Sequence, residues 1–262
     1  MRNFEIIDYI VNWLIQYSEH SKTSGFIIGI SGGIDSALTS TLCAKTGKPV
    51  ICLNMPIHQH KAEYDRAHEH IDWLKNKFNN VTSLEVDLTE TFNSYCNVLP
   101  ASIQDGLTMA NTRSRIRMTT LYSFACNKKM LVVGTGNKVE DFGIGFYTKY
   151  GDGGVDLSPI ADLMKSDVFA LAKELKIVES IINAKPTDGL FADGRSDEEQ
   201  IGATYDELEW AMLLLSNSAG DIKKLTDRER VVLDLYKSMN TANQHKMRPI
   251  PVCLIPLKYQ KN

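Results

Sequence analysis

The chain has 262 residues, 43% of them hydrophobic and 23% charged, with a formal net charge of -3. A chain of this size buries a core without covalent staples, and its slight acidic excess argues against a general nucleic-acid binder. The five cysteines, Cys43, Cys52, Cys96, Cys126 and Cys253, are dispersed, odd in number and form no CxxC, so neither a zinc site nor a disulfide framework is expected.

In chain order, Phe4, Ile7, Ile10, Val11 and Leu14 recur at helical spacing over residues 4–17. This opening segment carries acidic residues and has neither an apolar core nor a small-residue cleavage site, so no secretory signal is read. No apolar run reaches bilayer length. A cytoplasmic protein with no membrane partner is expected. FIIGI, ending at Ile30, reads as a buried strand, and the helix after it closes at Gly47. Strands are expected at 49–56, 81–88 and 129–135, with helices at 61–78, at 89–99 and over 107–127. The second half is less regular. Residues 143–158 carry five glycines and read as a long functional loop, and 184–203 as a second one. Helices follow at 166–176, 204–216 and 226–239, and the proline-rich tail after Arg248 cannot be helical.

Strands alternating with helices predict an α/β fold: a Rossmann-like parallel sheet with helices on both faces, in a single domain over 1–262. Ligands of such sheets sit beyond the carboxyl ends of the strands. The chemistry is therefore expected after Ile30, Asn54 and Val133.

GISGGIDS, residues 29–36, stands between a strand and a helix. Gly32 and Gly33 let backbone N–H groups approach an anion, and the helix N-terminus adds unpaired donors and partial positive charge. Asp35 beside a polyphosphate requires a divalent cation between the two charges, and Mg²⁺ meets that need. The loop lacks both the Walker A lysine and the dinucleotide-binding GxGxxG. At these residues the chain resembles the PP-loop ATP pyrophosphatases, which cleave ATP between the α- and β-phosphates.

Three further segments narrow the resemblance. NTRSRIRM, residues 111–118, places Arg113, Arg115 and Arg117 at i, i+2 spacing, so they diverge on a helix and cannot grip one phosphate together. GTGNKVEDFGIGFYTKYGDGGVDLSPIADLMKSDV, residues 134–168, mixes carboxylates, lysines and glycines in a segment suited to folding over a charged ligand. QHKMRP, residues 244–249, adds His245 and Lys246. With KPTDGL, these motifs in this order are similar to the ammonia-dependent NAD synthetases over about residues 4–250.

The resemblance implies an adenine nucleotide alpha hydrolase-like fold and amidation of deamido-NAD with ammonia, at the cost of ATP. It implies that the loop Gly29, Ile30, Ser31, Gly32, Gly33, Ile34, Asp35 and Ser36 binds ATP, with Thr135, Lys165 and Thr187. It further implies that Asp35 and Glu140 hold Mg²⁺, that Arg115, Lys149, Asp156, His245 and Lys246 contact deamido-NAD, and that the protein is a homodimer. Asp35 and Lys165 are the expected catalytic residues. Asp152 is added to them here, as the carboxylate that binds ammonium and accepts its proton. The segment from Glu140 to Lys149 is one residue longer than in some members, so Lys149 is assigned from the KYGDGG anchor. No glutaminase domain is expected beside this core.

Competing readings are a tRNA-modifying or GMP-forming PP-loop enzyme, a non-catalytic nucleotide sensor, and a metal site on His58, His60, His68 and His70. The net charge of -3 counts against the first. The i, i+2 divergence of His68 and His70 counts against the last.

Overall fold

The computed structural model describes residues 1–187, 196–216 and 224–259. Four parallel strands, β1 (Phe26–Gly29), β2 (Val50–Asn54), β3 (Val81–Glu85) and β4 (Leu131–Val132), form a sheet in the order β3-β2-β1-β4. In register, Ile27 lies opposite Ile51 on one side and Val132 on the other. Strands β1 and β2 are apolar throughout because both of their faces are covered. A parallel bridge from Val133 to Leu157 extends the sheet one strand position further.

Ten α-helices pack around the sheet among the described residues: α1 (Arg2–His20), α2 (Ile34–Lys45), α3 (Lys61–Lys77), α4 (Thr89–Val98), α5 (Gly106–Lys128), α6 (Lys165–Glu174), α7 (Glu179–Ile182), α8 (Asp197–Ile201), α9 (Tyr205–Ser216) and α10 (Asp227–Met247). Successive strand residues point to opposite faces. Phe26 and Ile28 therefore join a core with α1, α2, α3 and α6, while Ile27, Leu53 and Val132 join another with α4 and α5. A third cluster, around Val139, Ile144, Leu208 and Val232, is built by α8, α9, α10 and the segment after β4. Among the described residues, no helix is long and apolar enough to cross a membrane.

The sheet order reverses between β1 and β4, so the loops leaving these strands diverge and open a crevice. The chain after β4 then forms a π turn, Val139–Ile144. Such a turn absorbs one residue beyond an α-helical count. It stops at Gly145, where φ is +65° and an added Cβ would lie 2.4 Å from Asn243 Cβ.

The strand expected at 129–135 is shorter, Leu131–Val132 with a bridge at Val133, and two helices also differ from the sequence reading. Helix α10 runs on to Met247 because Asn240 and Asn243 donate to the carbonyls of Gly143 and Ile144, which anchors a polar stretch without apolar periodicity. Helix α8 lies inside the segment read as loop, started by the Ser196 and Glu199 capping box. Part of that segment, 188–195, lies outside the described residues, so the reading of 184–203 as a closing loop falls largely there.

Candidate active site

The loop after β1 is closed by its own hydroxyls. Ser31 Oγ lies 3.0 Å from Ser36 Oγ and accepts from the Gly33 N–H at 3.1 Å, while Ser36 Oγ donates to the Gly33 carbonyl at 2.9 Å. Gly33 caps α2 without a side-chain acceptor, which leaves the first N–H groups of a 12-residue helix facing outward. Gly32 sits at φ +83°, and an added Cβ would lie 2.4 Å from the Glu63 carbonyl oxygen, so α3 seats directly on the loop. Beside the loop is an open hollow lined by Ser31, Gly32, Gly33, Glu63, Arg66, Lys185 and Thr187 among others.

Asp35, in the first turn of α2, meets the chain after β4. Asn137 Nδ2 donates to its Oδ1 at 3.1 Å and Lys165 Nζ to its Oδ2 at 2.6 Å. Lys165 opens α6, is 3% exposed, and also donates to Glu140 Oε1 at 3.0 Å. The Tyr205 hydroxyl donates to the same Glu140 oxygen at 2.5 Å and lies 3.2 Å from Asp197 Oδ2. Lys165 also lies over the Tyr205 ring, 4.5 Å from its centroid. Three expected residues, Asp35, Glu140 and Lys165, are thus brought to one point at the switch in strand order.

The electrostatics follow from that crowding. Burial pushes the Asp35 carboxyl up, and Lys165 reverses this only in part. Burial alone would lower Lys165, but Asp35 and Glu140 overcome it and hold the ammonium above its usual range. Burial, then Glu140 and Asp197, push the Tyr205 phenol up, so it remains a donor. Asp141, which no motif singled out, is pushed up to about 8 by burial and then by Glu140, Asp152 and Asp35. Such an acidic well favours cations.

A second, roomier hollow is lined by Gly134, Gly136, Asp141, Phe142, Tyr147, Asp152 and Lys246 among others. Asp152 Oδ1 accepts from the Ser114 hydroxyl at 2.7 Å and from the Thr148 N–H at 3.0 Å, and burial raises its pKa. Lys246 Nζ donates to the carbonyls of Gly145 and Tyr147 at 2.8 Å each. Lys149 donates to the His245 carbonyl, and Arg115 Nε donates to the Lys149 carbonyl at 3.3 Å. His245 itself is exposed, with Nδ1 3.1 Å from the Ala242 carbonyl. The segment 143–158, read as a closing loop, is therefore tied to α5 and α10 in this conformation. Asp156 accepts from the Val132 N–H at 2.8 Å and the Tyr122 hydroxyl at 3.1 Å, which joins the loop to β4. Thr135 lies half-buried between β4 and the π turn, and Thr187 borders the first hollow.

The three arginines of α5 diverge as their spacing requires. Arg113 lies over the Phe92 ring at 4.6 Å, Arg115 reaches Lys149, and Arg117 donates to the Met55 carbonyl at 2.9 Å and to Gln59 at 3.0 Å. Burial, then Arg113, lower Arg117 to about 10. The four histidines also separate: His58 meets Asn93, His60 caps α3, His68 meets Glu85 and His70 meets Ser40. Asn137 stood in the quoted GTGNK. Tyr205, Asp197 and Arg66 belong to no local motif, and only the fold brings Tyr205 and Asp197 to Glu140 and Arg66 to the first hollow.

The family model described as NAD synthase matches residues 6–250. The NH(3)-dependent NAD(+) synthetase of Mycoplasma genitalium is 38% identical over 227 residues, which cover 86% of this chain and 86% of that protein. Among solved structures, the NMN synthetase of Francisella tularensis superposes with a TM-score of 0.83 at 29% identity, covering 97% of this chain and 98% of that one. The NH3-dependent NAD synthetase of Campylobacter jejuni, solved with a nitrate ion, gives 0.80 at 25% identity, covering 97% and 100%. The crevice between β1 and β4, with the glycine-containing loop after β1 on one side and Glu140 on the other, is thus set in a fold shared along almost its whole length, and the chain belongs to the NAD synthase family.

Proposed function

We propose that the protein joins ammonia to the carboxylate of deamido-NAD through an adenylated intermediate, releasing NAD, AMP and pyrophosphate. The observation that carries this reading is Lys165 held between Asp35 on the phosphate loop and Glu140 after β4, where two anionic substrates must meet. A carboxylate repels nucleophiles and offers no leaving group. Transfer of AMP to it solves both problems, provided that the charge of the two anions is offset.

Each residue has a part in that chemistry. The N–H groups of Gly32, Gly33 and the first turn of α2 hold ATP phosphates, with Ser31 and Ser36 shaping the loop. Thr135 and Thr187 complete the ATP contacts. Lys165 stabilises charge that develops on the α-phosphate and the departing pyrophosphate. Asp35 and Glu140 offer only oxygen donors, both within 3.0 Å of one Nζ. That pair fits a hard Mg²⁺ ion, which takes one or two carboxylates together with substrate phosphates. When bound, Mg²⁺ supplies charge neutralisation and orients the phosphates. Arg115, Lys149, Asp156, His245 and Lys246 are assigned to deamido-NAD; Lys246 lines the second hollow, and Arg115, Lys149 and the His245 carbonyl form one bonded chain.

Ammonium carries no lone pair and must lose a proton before it attacks the acyl carbon. Asp152 borders the second hollow, and its raised pKa makes it a better proton acceptor than an ordinary aspartate. A homodimer is supported by the large apolar side chains left exposed on α4, the next turn and the start of α5: Tyr95, Val98, Ile103 and Leu107.

The test is an end-point assay with ATP, Mg²⁺ and deamido-NAD, run with ammonium chloride and separately with glutamine. NAD and AMP in equal amounts with ammonium support the reaction, and intact ATP sinks it. The likeness to the Francisella NMN synthetase motivates a second reading, in which the acceptor is the mononucleotide carboxylate. Running both carboxylates in the same assay separates the two.

A further inference from the structure

The first hollow contains a cation that the sequence motifs do not include. Arg66 lies in the second turn of α3, 34 residues beyond Gly32, and its Nε donates to the Gly32 carbonyl at 3.2 Å. The contact is built into the packing. The Glu63 carbonyl and the Ala67 N–H of α3 would lie 2.4 and 3.2 Å from a Cβ at position 32, so the helix turn that carries Arg66 rests on the phosphate loop. Arg66 is half-buried and lines the same hollow as Ser31, Gly33, Lys185 and Thr187. Among the described residues its guanidinium forms no ion pair.

A guanidinium has five N–H donors in a planar fork. One of them holds Gly32, which leaves two terminal nitrogens in a hollow whose other wall is a phosphate-binding loop. Glu63 in the same lining accepts from Gln59 Nε2. We propose that Arg66 is a further phosphate-binding residue of this site, fixing the Gly32 carbonyl through Nε and gripping the departing pyrophosphate with its remaining N–H groups. This rests on the ATP-cleaving reading of the loop. It adds a second cation on the pyrophosphate: Lys165 acts from beside Asp35 and Arg66 from beside Gly32.

The experiment compares wild type with Arg66→Ala, Arg66→Lys and the control Lys61→Ala. Lys61 is a strongly exposed lysine on the same helix, paired with Asp65 and outside the hollow. Binding of magnesium pyrophosphate and of magnesium ATP is measured by calorimetry, and pyrophosphate inhibition and the KM values by steady-state assay. Loss of charge-assisted bonds predicts about 10- to 100-fold weaker pyrophosphate binding in Arg66→Ala. The KM for ATP should rise with it, the KM for ammonium should not change, and Lys61→Ala should match wild type. Arg66→Lys keeps the charge but loses the fork, so it should fall between, and it carries the test if Arg66→Ala fails to fold. Unchanged pyrophosphate binding with a lower kcat would reduce Arg66 to a prop for Gly32 and overturn the proposal, as would a wild type that binds neither nucleotide nor pyrophosphate. Calorimetry does not depend on the acceptor, so failure of deamido-NAD as substrate is read separately.

Discussion

Lys165 and Asp35 are 130 residues apart in the chain and 2.6 Å apart in the fold. The contact joins the start of α6 to the start of α2 and leaves Lys165 buried with two carboxylates. Lys165→Ala removes the only counter-charge that meets both Asp35 and Glu140 among the described residues. The rate of AMP release should fall by about 10²- to 10³-fold, the loss typical of one transition-state donor. Breaking a buried ion pair also destabilises by about 3–5 kcal/mol. Urea unfolding at neutral pH measures this second effect, and the kinetic comparison is made where the variant is folded.

Glu140 is held by Lys165 and by the Tyr205 phenol, so Tyr205→Phe separates structure from metal chemistry. It leaves a Glu140 oxygen and Asp197 without their shared donor, and should cost about 1–3 kcal/mol in urea unfolding. Glu140→Gln should instead raise the Mg²⁺ concentration needed for half-maximal AMP release. If Mg²⁺ dependence were identical in Glu140→Gln and wild type, Glu140 would lose its assignment as a metal ligand.

The loop contacts of Asp152 and its proposed role as a base are distinguished by two substitutions. Its Oδ1 holds the Ser114 hydroxyl and the Thr148 N–H, so Asp152→Ala loosens the segment as well as the site. Asp152→Asn keeps an oxygen acceptor in place but cannot take a proton. A base role predicts a higher KM for ammonium and at least about a tenfold loss of kcat in both variants. Asp152→Asn with wild-type kinetics would leave Asp152 a loop anchor and nothing more.

His70 makes acid stability a measurable signature of the core. It is fully buried, bonded to Ser40 Oγ at 2.9 Å, and burial lowers its pKa to about 3. The unfolded chain takes up a proton near pH 6.5, while the folded chain does not until about pH 3. Stability from this residue is therefore whole above pH 6.5 and is lost as pH falls, at about 1.4 kcal/mol per pH unit. Denaturant unfolding of wild type and His70→Leu from pH 7 to pH 4 should show a shallower decline in the variant. Parallel curves would mean that the imidazole titrates normally in the fold.

Legibility in the sequence followed the range of the forces involved. Strands β1 and β2 are legible from continuous apolar runs, and the loop at 29–36 from its glycines, because these signals are local. Helix α10 was read too short, since its last turns depend on side-chain bonds to a segment about 100 residues earlier. The same holds in the site. Asp35 and Glu140 each stood in a motif, whereas Tyr205 and Arg66 gain their positions only when α9 and α3 dock against the crevice. Asp156 was read toward the dinucleotide. Its carboxylate bonds to Val132 and Tyr122 make it at least a brace for β4, which no spacing in the chain announces.

The π turn at Val139–Ile144 acts as an expansion joint. Glu140 at its start is held by Lys165 and Tyr205, and Asp152 beyond it by Ser114 on α5. The separation of these carboxylates is fixed by what they are fastened to rather than by the number of residues between them. A chain with one residue fewer at 141–144 would close the same interval as an ordinary α turn, with Glu140 and Asp152 still at the spacing that their fastenings set.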